Sequence, residues 1–159
     1  MGVAGAGKST VGALLAAELG WTFYDGDDLH PAANVRKMAS GRPLDDADRW
    51  PWLRRIAGVI ARHARRGEPA VVACSALKRA YRDVLAAAAP GVRIVYLKGS
   101  HELIAERLRG RRGHFLPPRL LASQLADLEE PDDALVVDVA APPADVVAAI
   151  VRGLDLAPL

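Results

Sequence analysis

The residues most able to do chemistry stand at the start of the chain. Gly2-Val3-Ala4-Gly5-Ala6-Gly7-Lys8-Ser9 matches G-x-x-x-x-G-K-[ST] at every fixed position. Glycines at that spacing let the backbone curl until several N–H groups point inward, a geometry suited to phosphate oxygens. A helix following the loop adds the positive end of its dipole. Lys8 is placed to reach β- and γ-phosphates, and the Ser9 hydroxyl to ligate Mg²⁺. The spacing therefore predicts a nucleoside triphosphate site.

Asp25-Gly26-Asp27-Asp28-Leu29-His30-Pro31 follows the short apolar run 21–24. Carboxylates at the carboxyl end of a strand lie where open α/β sheets bind ligands. Asp25 and Asp27 are candidates for a general base and for a Mg²⁺ or substrate contact; an acidic surface turn is the alternative reading. Arg107, Arg109, Arg111 and Arg112 crowd the end of a helical stretch, where cations complement the helix dipole. Cys74, the only cysteine, reads as a small buried hydrophobe, not a nucleophile.

Elements that alternate must hold these groups. Apolar runs at 21–24, 70–74, 92–97 and 134–139 read as buried strands. Helical spacing is expected over 10–19, 51–66, 76–88, 101–111, 118–129 and 143–154, with Pro51 in a first turn and Asp48 as its cap. The fold class is α/β, with a parallel sheet covered by helices on both faces. Only Met1 stands where a strand should carry the phosphate loop, so the first central strand is expected to be missing. Val3, Val71 to Ala73 and Tyr96 are then expected to border an unfilled slot, with marginal stability that a melting temperature checks.

The composition sets outer bounds. The chain has 159 residues, fitting one domain, and a formal net charge of +2. Of its 21 basic residues 17 are arginine, a side chain suited to gripping phosphate or carboxylate in two places. Near-neutral charge does not suggest a nucleic-acid platform, no apolar run approaches a membrane span, and one cysteine favours a cytoplasmic setting.

Several blocks together resemble the gluconate kinase family of small P-loop kinases, relatives of shikimate and adenylate kinases. They are GVAGAGKST at 2–10, DGDDLHPAANVRKMASGRPLDDADRWPWL at 25–53, CSALKRAYRD at 74–83, YLKG at 96–99, RGHF at 112–115 and SQLADLEEP at 123–131. The resemblance implies a three-layer P-loop domain over 1–159, a lid at about 107–120, and a homodimer. It implies phosphoryl transfer from ATP, with Mg²⁺, to gluconate, giving 6-phosphogluconate; a related acid or sugar such as shikimate, or nucleotide binding without catalysis, are the alternatives. Thr10 joins residues 2–9 as the nucleotide loop, and the turn near 140–143 borders the adenine. Arg107 and Arg111, four apart on one helix face, become lid arginines closing over the phosphates. Arg49, Lys78 and Arg82 are candidates for the gluconate carboxylate, and Asp27, His30 and His114 for its hydroxyls.

Overall fold

The computed structural model describes residues 1–111 and 118–159. The phosphate-loop segment opens directly into α1 (Lys8–Leu19), followed by β1 (Thr22–Asp25), a 3₁₀ turn (Gly26–Leu29), α2 (Ala32–Ala39) and α3 (Asp46–Arg66). Then come β2 (Ala70–Ala73), α4 (Arg79–Ala86), β3 (Val95–Lys98), α5 (His101–Arg109), α6 (Pro118–Asp127), β4 (Leu135–Asp138) and α7 (Pro143–Leu154).

The strands pair in parallel, β1 with β2 (Thr22 opposite Ala70) and β3 with β4 (Val95 opposite Leu135). Helices connect them, as parallel pairing requires. One core gathers Val11, Leu15, Leu19, Leu97, Ile104, Val137 and Ile150 from α1, α5, α7 and the β3–β4 pair. The other packs Trp52, Leu53, Ile56, Tyr81 and Leu85 of α3 and α4 against β2 and its following loop. These are the helical layers of an α/β P-loop fold.

Met1 and Gly2 lie between the two strand pairs. Leu97 N–H donates to Met1 O at 2.9 Å, and Gly2 N–H donates to Ser75 O at 3.1 Å. Beside them an apolar cavity of about 430 Å³ separates β2 from β3. Val71, Val72 and Ala73 line it as expected, together with Val95 and Leu97. Val3 and Tyr96 do not line it. Val3 turns into the α1–α5–α7 core, and the Tyr96 hydroxyl donates to Glu130 Oε1 at 3.1 Å.

Element boundaries differ from the sequence reading for local reasons. α3 starts before Pro51, because Asp45 and Asp48 form a reciprocal capping box that fixes the first turn at Asp46. Asp48 thus sits three residues inside the cap, and Pro51 lies within the helix. α4 begins at Arg79 because Ala76 holds a left-handed φ of 45° and Lys78 is extended. α5 ends at Arg109 with Gly110 as its cap, so Arg107 and Arg111 do not share a helix face. α2 escaped the sequence reading; it is short and buries no apolar side chain, its one buried residue being Asn34.

Candidate functional site

The phosphate loop is built by backbone, not side chains. Gly5 and Gly7 have φ of 83° and 93°, conformations that a Cβ would strain. Gly7 is the N-cap of α1, so the loop ends on the first free N–H groups of that helix. A Cβ on Gly5 would meet Leu108 Cγ at 2.9 Å, showing how closely α5 backs the loop. Ala4 and Ala6 contribute backbone here, and Ala6 is buried.

Lys8 folds over this loop, its Nζ donating to Val3 O at 3.0 Å. Burial lowers the pKa of its ammonium from the usual lysine range; Asp27 opposes that shift most strongly, and Arg111 adds to it. Thr10 is exposed in the first turn of α1.

Ser9 and Asp25 meet from different elements. Ser9 Oγ donates to Asp25 Oδ2 at 2.6 Å, while Asp25 Oδ1 accepts from Asp27 N–H at 3.0 Å. A hydroxyl and a carboxylate at this distance are hard oxygen donors suited to Mg²⁺. No cluster of three His, Cys, Asp or Glu occurs among the described residues. The Asp27 side chain is free of these bonds and exposed.

His30 is held firmly. Its ring stacks on Trp52 with centroids 4.2 Å apart, and Trp52 Nε1–H donates to Gly26 O at 2.7 Å. Asn34 Nδ2 donates to Asp48 O at 2.9 Å and lies 3.2 Å from His30 Nδ1. With that amide as donor, the imidazole carries its proton on Nε2. Burial lowers its pKa, Asp27 opposing and Arg49 assisting.

Arg49 and Lys78 converge on a second, open cavity of about 330 Å³, lined also by Asp45, Asp46, Ser123 and Asp127. Arg49, only 8% exposed, donates from Nη1 to Tyr81 Oη at 3.0 Å and to Asp127 Oδ2 at 2.8 Å. Burial works against its charge, but these two bonds outweigh it and raise its pKa. Lys78 Nζ lies 3.0 Å from Asp46 Oδ1 and 4.0 Å from Asp127 Oδ1. The Asp46 hydrogen bond raises the lysine's pKa, while the Tyr81 hydroxyl and then Lys78 hold the Asp46 carboxyl below its usual range. Cations alternate with carboxylates around the buried Tyr81 ring.

The structure brings Asp25, Asp27, Lys8 and Ser9 together, and Arg49 with Lys78. It does not bring Arg82 to them. That guanidinium is 5% exposed and donates from Nη1 to Ala76 O and Leu77 O at 3.0 and 2.9 Å, bracing the strained turn after β2. Arg82→Ala is expected to lower unfolding stability by about 1.5–3 kcal/mol, the range for hydrogen bonds to charged groups. Denaturant midpoints would check it; an unchanged midpoint contradicts the bracing role. Arg107 donates from Nη2 to Val139 O at 2.5 Å, at the turn after β4, and Arg111 is exposed beyond α5. His114 and Arg112 lie outside the described residues. Burial pushes the Cys74 thiol up to about 11, in keeping with a packing role.

Tyr81, Asp46, Asn34, Gln124 and Asp127 are site neighbours that sequence reasoning did not single out. They stand inside the blocks at 25–53, 74–83 and 123–131, which was the available signal.

Known proteins align with this architecture. A family of AAA domains matches residues 1–131. The thermoresistant gluconokinase of Escherichia coli is 43% identical over 156 residues, covering 96% of this chain and 89% of that protein. The crystal structure of a gluconokinase from Sinorhizobium meliloti is 49% identical with a TM-score of 0.89, covering 98% of this chain and 89% of that one. Shikimate kinase from Aquifex aeolicus, 18% identical with a TM-score of 0.61 over 98% of this chain and 93% of its own, shares the fold. With identity of this level spanning both the phosphate loop and the Arg49–Lys78 pocket, the chain belongs to the gluconokinase family.

Proposed function

We propose that the chain transfers the γ-phosphoryl group of ATP to D-gluconate, giving ADP and 6-phospho-D-gluconate, as a single kinase domain over residues 1–159. The observation that carries this reading is the pairing of a phosphate loop with a cation-lined cavity, in a chain 43% identical to a gluconokinase over nearly its whole length. A polyhydroxylated carboxylate needs a fixed cation and several hydrogen-bonding groups. Arg49 and Lys78 supply the first; Asp27, His30 and His114 are assigned to the hydroxyls.

Residues 2–10 cradle the triphosphate, and Lys8 neutralises charge that develops on the transferring group. Ser9 and Asp25 would hold Mg²⁺, whose charge would neutralise that of the triphosphate. Asp27 takes the proton of the attacking hydroxyl. Arg111, exposed beyond α5 and close enough to act on the charge of Lys8, is assigned to the phosphates; Arg107 secures the adenine-side turn. Catalysis here is positioning and electrostatics. The reaction belongs in the cytoplasm, where ATP is supplied and Cys74 stays reduced, and a homodimer is the expected assembly.

A coupled assay tests the reading. ADP formation that depends on gluconate, and exceeds that with shikimate and other small acids or sugars, supports it. ATP binding without turnover on any acceptor would overturn it in favour of a non-catalytic nucleotide-binding protein.

A further inference from the structure

Helix α6 touches both halves of the site, one turn apart on the same face. Gln124 Oε1 accepts from Ala4 N–H at 2.7 Å. Asp127, three residues on, accepts from Arg49 Nη1 at 2.8 Å and faces Lys78. Positions three apart are neighbours on a helix surface, so one rigid turn connects a phosphate-loop amide to the acceptor cations.

The base of that turn is tied down independently. Glu129 N–H donates to Leu77 O at 2.9 Å, and Glu129 Oε2 accepts from Arg79 N–H at 2.9 Å. Glu130 accepts from Tyr96 Oη at 3.1 Å and lies 3.1 Å from Lys98 Nζ. Leu120 and Leu121 are buried on the same helix. A helix so anchored is a poor place for a loosely held glutamine, yet Gln124 reaches across to an amide 120 positions away in sequence.

We propose that Gln124 and Asp127 are positioning residues that couple nucleotide binding to acceptor binding through α6. This rests on the gluconate reading above. An acceptor carboxylate arriving at Arg49 and Lys78 competes with Asp127 for the Arg49 N–H donor and with Asp46 for Lys78. The redistribution is felt one turn away, where Gln124 sets the orientation of the Ala4 peptide beside the triphosphate. Reciprocity then requires that nucleotide alter gluconate affinity by the same factor.

The test measures the dissociation constant of a non-hydrolysable ATP analogue, with and without saturating gluconate, by titration calorimetry on the full chain. In the unmodified chain gluconate should change that constant by about 5-fold or more, within the usual range of coupling between sites. Gln124→Met keeps the shape without the acceptor oxygen and should bring the factor to about 1, while the analogue still binds. Gln124→Glu restores an acceptor and should restore the factor, whatever its added charge does to overall affinity. Asp127→Asn should weaken the coupling and raise the KM for gluconate more than it lowers kcat. Equal factors in the unmodified chain and in Gln124→Met, with gluconate turnover present, would overturn the inference alone. Absence of gluconate turnover in the unmodified chain would overturn the substrate reading and this inference with it.

Discussion

Lys8→Ala lowers gluconate-dependent ADP formation by about 10²–10³-fold, the loss expected when one preorganised charge-stabilising donor is removed. The effect falls on kcat, because the loop amides and the α1 N-terminus that hold the ground-state phosphates are backbone and survive the substitution. Stability changes little. The bond that disappears, Lys8 Nζ to Val3 O, is worth about 1.5–3 kcal/mol as a bond to a charged group, and the desolvation cost that lowers the lysine's pKa disappears with it and offsets the loss. A thermal melt alongside the coupled assay separates the two effects. A variant that keeps its turnover would remove the phosphate-loop assignment.

Asp27→Asn is expected to lower kcat by about 10²–10⁴-fold, the usual contribution of a positioned general base, with the KM for ATP almost unchanged. The structure distinguishes the two aspartates that the sequence left equivalent. Both Asp25 oxygens are occupied, one by the Ser9 hydroxyl and one by the Asp27 N–H. Among the described residues no side-chain hydrogen bond occupies the exposed Asp27 carboxylate, and its charge favours the protonated forms of both Lys8 and His30. Asp25→Asn should behave differently, losing activity that raised Mg²⁺ partly restores. Steady-state kinetics over a range of Mg²⁺ concentration decides: if the Asp25 variant shows the magnesium-independent kcat loss and Asp27→Asn does not, their roles are reversed.

The phosphate loop was legible in full because its chemistry is local. Three glycines, a lysine and a serine within eight positions set a backbone path by their own φ preferences, and no distant residue is needed to see it. The four strands were legible for the same kind of reason, as short apolar runs between helices. Boundaries were less so. The capping box that starts α3 and the left-handed Ala76 that delays α4 depend on side-chain bonds that periodicity does not reveal.

The acceptor pocket was legible only as a set of basic residues, and Arg82 shows why. Arg82, Arg49 and Lys78 are equivalent as letters, yet helical phase turns the first into the backbone carbonyls of its own loop. The other two project beside Tyr81. Tyr81 and Asp46 are 35 positions apart, and Arg49 and Asp127 are 78 apart, so their meeting is a product of helix packing. Sequence by itself determined the nucleotide site, the layered α/β class and the family. The tertiary structure decided which arginine shares the open cavity with Lys78, which aspartate accepts from Ser9, and that α6 reaches both the phosphate loop and Arg49. Backbone curvature is written in neighbouring residues, but the pairing of charges across separate helices is fixed only when the two cores close.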